Sequence, residues 1–172
     1  MNDTILPPSI DPDTRKLGVR NVHAVNDGTT RTITTVRHFD PIVTDEPDTL
    51  GGSNTGPSPL EMALVSLVGC DSVIINGVAT AMDFTYSGVT LEASGQIDVR
   101  GPKGVKGVRP YFECVDLTIE VATGESDARF EKLQANVEFR CPVMNLFRDA
   151  GVDMRVTWRR AAFGHRPGRH GR

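Results

Sequence analysis

SPLEMALVSLVGCDSVIINGVATAM, residues 58–82, is the stretch whose reading decides the fold. Ser58 offers a side-chain acceptor where a helix can begin, Pro59 suits the first helical position, and Glu61 stands three residues after the cap, the spacing of a capping box. Downstream, Ala63, Leu67, Cys70, Ile74 and Val78 recur at helical spacing on one face, while Leu64, Val68, Ile75, Ala79 and Met82 cover another. The spacing predicts a helix over 59–82 that is apolar nearly all round. Such a helix has to be enclosed, by a sheet on one side and a partner subunit on the other. Its length would suit a membrane span, but Glu61, Asp71 and Asn76 would be costly in hydrocarbon, which argues against one.

Working outward, residues 18–25 and 29–38 are rich in β-branched positions and flank Asn26-Asp27-Gly28, a hairpin signal. A short strand at 42–44 leads into a Gly/Pro/Asn/Asp-rich loop over 45–57, whose Gly51 to Gly56 portion reads as a conformational hinge ahead of the helix. It lacks the Lys-Ser/Thr ending of a phosphate loop. Residues 89–99 and 111–121 are expected strands, the second with Val115, Leu117, Ile119 and Val121 alternating onto one face. Phe130, Leu133 and Val137 mark an amphipathic helix over 126–139; a short helix follows from Pro142 toward Gly151, and 152–161 forms a last strand. The class is α+β, with an antiparallel sheet on the long central helix.

The chain of 172 residues, 38% hydrophobic and 24% charged, is sized for one domain, placed at 16–163 between disordered tails at 1–15 and 164–172. A net charge of −3 and 6% aromatic content give nucleic acid neither an electrostatic footprint nor stacking platforms. The start is polar, without an apolar secretory core, so a cytoplasmic protein is expected. His23, His38, His165 and His170 show no ligand spacing with cysteine or carboxylate, and no metal or bound cofactor is expected.

Three cysteines in a reducing compartment are core residues or reactive thiols. Cys70 lies inside the apolar helix, where a thiol is inert unless a cation or polar cavity activates it; the neighbouring Asp71 carboxylate would raise its pKa unless it points away. Cys141 precedes Pro142, so it is expected at the N-cap of the short helix, a site that favours a thiolate. Cys114, in a strand with no cap and no motif, reads as a structural thiol.

Taken together, Gly51-Gly52, Gly56-Pro57-Ser58-Pro59-Leu60-Glu61, Gly69-Cys70, Val108-Arg109-Pro110 and Cys141-Pro142-Val143 resemble the OsmC/Ohr superfamily, over most of the chain. Arg37-His38, Asp45-Glu46-Pro47 and Gly51-Gly52 point to its OsmC-like branch rather than to the organic hydroperoxide resistance proteins themselves. The resemblance implies an OsmC-like fold and an intertwined homodimer whose subunits wrap around paired central helices. It also implies a thiol-dependent peroxidase acting on organic hydroperoxides or hydrogen peroxide in oxidative-stress defence. Cys70 would be the peroxidatic cysteine and Cys141 the resolving one, with an arginine and a glutamate organising the thiolate; Arg37 and Glu61 are assigned these places, Arg31 and then Arg109 being the other arginines to consider. The implied reductant is an external dithiol such as the dihydrolipoyl group of a lipoylated protein.

In the peroxidase members the glutamate directly follows the proline that opens the helix. Here Leu60 takes that place, and Glu61 is turned by about 100° from it. That displacement supports an alternative, a non-catalytic OsmC-like dimer that binds a small molecule or thiol ligand at its interface pocket.

Overall fold

The computed structural model describes residue 14 and residues 16–164; the two expected tails fall almost wholly outside them. The described residues divide into two compact units, one running up to Val65 and the other from Ser66 onward, the boundary falling inside the long helix.

In the first unit, β1 (His23–Asn26), β2 (Thr32–Thr35) and β3 (Ile42–Thr44) form an antiparallel sheet in the order β1-β2-β3. The hairpin is where the turn signal places it, but its strands are short: pairing runs from His23 with Thr35 to Asn26 with Thr32, leaving 27–31 as the connection. Asn26 explains the wider turn. Its Nδ2 donates to the carbonyls of Thr29 (2.8 Å) and Arg31 (2.9 Å), its Oδ1 accepts from Gly28 N–H (2.8 Å), and Gly28 takes φ 89°.

The loop after β3 is mostly exposed but is tied down by one buried carboxylate, which argues against its reading as a hinge. Asp45, 1% exposed, accepts from the hydroxyls of Thr30 (2.6 Å) and Thr55 (2.9 Å) and from the N–H groups of Glu46, Ser53 and Thr55. The glycines permit close backbone approach: a Cβ on Gly52 would lie 1.8 Å from the Glu46 carbonyl oxygen, and one on Gly56 would lie 2.3 Å from that of Val43. Composition marks such a stretch as irregular but does not show that one carboxylate gathers it.

α1 (Pro59–Met82) begins with the expected capping box: Ser58 N–H donates to Glu61 Oε2 (2.6 Å) and Glu61 N–H to Ser58 Oγ (3.3 Å). It ends at Asp83 in the left-handed region (φ 50°), with Phe84 N–H reaching the Ala79 carbonyl (2.9 Å). Arg129 then ties the end down, donating to the Met82 (2.9 Å) and Asp83 (2.6 Å) carbonyls. The buried residues of α1 are Leu67, Asp71, Ile75, Val78 and Ala79, a single stripe drawn from both apolar faces and including a carboxyl group. By length and composition alone α1 could cross a membrane. Val65 and Val73 are 52% and 71% exposed, so its other flank carries unburied apolar surface.

The second unit adds β4 (Gly88–Ile97), β5 (Phe112–Ala122), α2 (Asp127–Arg140), α3 (Pro142–Asp149) and β6 (Asp153–Ala161). Val115, Leu117, Ile119 and Val121 of β5 are buried while Asp116, Thr118 and Glu120 alternate with them, as period two requires. The core combines these residues with Leu67, Ile75 and Val78 of α1 and Leu133, Val137 and Met144 of α2 and α3. The sheet, in the order β4-β5-β6, is mixed and not antiparallel as expected: β4 opposes β5, but β6 runs parallel to it. The chain from β5 to β6 passes through α2 and α3, and a helical crossover is what returns a strand in the same direction. Strand periodicity carries no direction, so the pattern alone could not show this.

Hydrogen bonding from Thr30, then Thr55 and Glu46, outweighs burial and holds the Asp45 carboxyl well below the ordinary range. Its stabilisation is complete above the unfolded carboxyl pKa of about 4 and is lost as pH falls through the folded value. Asp45→Asn should therefore lower Tm by several degrees at pH 7 and flatten the fall of Tm below pH about 4, as read by thermal unfolding across pH.

Candidate active site

Pro142 builds one end of the site. Because proline disfavours helical conformation in the residue before it, α2 stops at Arg140, and Cys141 takes an extended conformation (φ −69°, ψ 109°). Cys141 caps two helices at once. Its N–H donates to the Val137 carbonyl at the end of α2 (2.9 Å), and its sulfur accepts from Met144 N–H in the first turn of α3 (3.4 Å). Asn145 straps the junction, its Nδ2 reaching the carbonyls of Phe139 (3.0 Å) and Cys141 (2.9 Å).

The N-cap position is as expected; the protonation state is not. Burial first, then the adjacent Asp71 carboxylate, drive the Cys141 thiol far above its ordinary pKa, and the Met144 N–H offsets only part of this. A helix of eight residues contributes partial charge at its end, whereas Cys141 is fully buried beside a carboxylate. Cys141 therefore stands as a thiol, correcting the expected thiolate.

That thiol meets both Cys70 and Asp71 of α1. All three cysteines are unpaired in this structure, Cys70 half-buried and Cys114 and Cys141 buried. The fold thus brings together two thiols 71 positions apart in the chain and, between them in chemical character, a carboxyl group. Asp71 is fully buried, and neither carboxylate oxygen has an aligned hydrogen-bond partner. Burial raises its pKa, with Glu138 pushing the same way and Cys141 and Arg148 opposing. Glu138 is itself held by Arg148 Nη2 (2.6 Å) and by Trp158 Nε1–H (2.9 Å), so the neighbouring ion pair is engaged. Asp71 turns toward Cys141, a contact that sequence reading, which weighed it as an interruption of the apolar run and as a neighbour of Cys70, did not foresee. The signal available was an acidic residue in the middle of an apolar helix, away from the cap that Glu61 serves.

Arg37 and Glu61 belong to the first unit. Arg37 follows β2 in the left-handed region (φ 52°), its guanidinium 4.6 Å from the centroid of the Phe39 ring. With Val19, Arg20, Asn21, Val22 and Val36 it lines a cavity of about 570 Å³. Glu61 is exposed, and the bonds it exchanges with Ser58 lower its pKa. Arg31 lies in the β1–β2 connection near Asp27. Arg109 donates to the Ala150 (2.9 Å) and Gly151 (3.3 Å) carbonyls past the end of α3, opposite to the end that holds Cys141. Cys114, on β5, pairs with Gln96 of β4. Among the described residues no group of three or more His, Cys, Asp or Glu side chains is placed to hold a metal ion.

A family model described as OsmC-like protein matches residues 52–157. Among solved structures, the chain is similar to an OsmC-like protein from Mycoplasma pneumoniae, at TM-score 0.71 and 19% identity over 84% of this chain and 98% of that one. It is also similar to an organic hydroperoxide resistance protein OsmC from Legionella pneumophila, at TM-score 0.65 and 19% identity over 84% and 99% of the two chains. An organic hydroperoxide resistance protein from Elizabethkingia anophelis aligns at TM-score 0.66 and 17% identity over 86% and 100%. No curated protein sequence matches the chain. At these identities the structural likeness establishes the fold.

Because the native state binds the Asp71 proton more tightly than the unfolded chain, stability should decline as pH rises from about 4 toward the raised folded value. Asp71→Asn removes the burial of that charge beside Cys70, Cys141, Glu138 and Arg148. Calorimetry at pH 7 should show a higher Tm, by about 2–4 °C per kcal/mol of penalty removed, and the decline with pH should be weaker than in the wild type.

Proposed function

The chain belongs to the OsmC-like protein family, and on that premise we propose that it is a thiol-dependent peroxidase reducing organic hydroperoxides or hydrogen peroxide in the cytoplasm. The observation that carries this reading is the meeting of Cys70 and Cys141, one half-buried and the other fully buried, across two helices. Two relatives in fold are named for organic hydroperoxide resistance, which supports the same substrate class.

In this reading the Cys70 thiolate attacks the terminal peroxide oxygen, the O–O bond breaks, the departing alkoxide or hydroxide takes a proton from solvent to become alcohol or water, and Cys70 is left as a sulfenic acid. Cys141 condenses with it to a disulfide, releasing water. An external dithiol, such as a dihydrolipoyl group on a lipoylated protein, then reduces the disulfide by exchange. A cation is needed to hold the Cys70 thiolate and the developing alkoxide, and Arg37 is assigned that role, with Glu61 as the glutamate that helps organise the thiolate. The left-handed backbone of Arg37 is a strained conformation of the kind that functional sites hold.

The reading extends to assembly. The exposed apolar flank of α1, including Val73, fits a homodimer in which central helices pair, and light scattering at micromolar concentration should give twice the mass of one chain. A monodisperse monomer would overturn it.

One observation favours the non-catalytic alternative: the Glu61 carboxylate is occupied by the helix cap. The two readings part in a peroxide assay with dihydrolipoamide as reductant. The peroxidase should consume an alkyl hydroperoxide, lose activity in Cys70→Ser, stop after a single turnover in Cys141→Ser, and slow by about 100-fold or more in Arg37→Ala. No consumption by the wild type would support the binding dimer instead.

A further inference from the structure

The fully buried Asp71 stands directly after Cys70 in α1, and its carboxylate is unsatisfied. Natural interiors rarely leave a carboxylate without aligned partners, since removing it from water costs free energy that only hydrogen bonds or a counter-charge return. Among the described residues, the Arg148 cation that acts on it is already paired with Glu138 at 2.6 Å. What does meet Asp71 is the thiol of Cys141, and the same thiol meets Cys70. A resolving thiol held this firmly in its protonated form is a poor nucleophile, because the thiolate is the attacking species. The step that joins the two cysteines is therefore faster with a base held beside the fully buried Cys141 sulfur than with one that must be drawn from solvent.

We propose that Asp71 is the proton-transfer residue of the resolving step, carrying the Cys141 proton to the hydroxide that leaves Cys70. The inference rests on the peroxidase reading for its oxidant, a hydroperoxide. Starting from Cys70 as a sulfenic acid and Cys141 as a thiol, the Asp71 carboxylate takes the thiol proton while the Cys141 sulfur attacks the Cys70 sulfur. The S–S bond forms, the S–O bond breaks, and the departing hydroxide takes the proton from the Asp71 carboxyl to become water. Cys141 is oxidised and the sulfenic sulfur reduced by the same electron pair, and Asp71 ends as it began. Its raised proton affinity brings acid and base closer in strength, which speeds a transfer between a carboxylate and a thiol. A well-bonded surface carboxylate could not do this, because its low pKa would make it too weak a base.

The experiment measures disulfide closure separately from peroxide attack, by quenched mass spectrometry with a sulfenic-acid trap. In Asp71→Asn, sulfenic acid should accumulate on Cys70 and closure with Cys141 should slow by about 100-fold or more. Closure in that variant should recover steeply as pH rises, by about tenfold per unit, as solvent replaces the missing base. The groups facing Asp71 that could contribute to the profile are Cys70 on α1, Glu138 on α2, and Cys141 and Arg148 at the two ends of α3. Closure at the wild-type rate would overturn the proposal. Slow closure that high pH does not rescue would also overturn it, by showing a distorted site.

A second arm replaces peroxide with a small aromatic disulfide. Cys70 displaces one aryl thiolate, and Cys141 closes on the mixed disulfide, giving its proton to Asp71 as the second aryl thiolate leaves. Asp71-dependent closure here, with no oxidation of the wild type by peroxide, would overturn the peroxidase reading while upholding the role of Asp71. Closure that ignores Asp71 in this arm would count against the role itself.

Discussion

A proline that cannot follow a helical residue holds the chemistry of this protein in place. Were residue 142 able to continue α2, Cys141 would sit in mid-helix with its N–H and carbonyl absorbed in the ladder and its sulfur turned wherever the helical phase sent it. Instead the break makes Cys141 the last acceptor-bound residue of α2 and the cap of α3, fixed by bonds on both sides and by the Asn145 strap. A capping side chain has little rotational freedom, so the sulfur is presented to α1 in one direction. Everything proposed for the two thiols depends on that orientation.

On the other side, α1 accepts an unfavourable group for the sake of position. Its buried stripe would be more stable with a hydrocarbon side chain in place of Asp71, given how little hydrogen bonding the carboxylate finds. The contrast with Asp45 is instructive. Both aspartates are essentially removed from solvent, yet Asp45 is ringed by hydroxyl and N–H donors and titrates low, while Asp71 faces thiols and titrates high. The first carboxylate organises a loop; the second is left chemically available. Burial is common to both, and the donors around each decide what the charge does.

Much of the scaffold could be read without coordinates. The capping box at Ser58 and Glu61, the alternation of β5 and the N-cap at Cys141 each rest on contacts within a few residues, and local chemistry specifies such features. The pair of cysteines was legible as a pair because each stands in its own motif. Their contact was not legible from spacing, since it depends on how α1 and the α2–α3 junction meet in the core. The parallel entry of β6 and the pinning of the 45–57 loop lay equally beyond pattern, because direction and long-range donors leave no periodic trace.

The sequence by itself determined the order of helices and strands and where α1 and α3 begin, which thiols stand in special positions, and to which family those motifs are similar. Periodicity, caps and proline act over one or two turns of chain, so they can be read from the chain. Only the tertiary structure decided that Cys141 is a thiol and not a thiolate, and that Asp71 faces it. A pKa is the sum of desolvation and of charges brought near by folding, and residues 71 and 141 become neighbours only when the core closes around them.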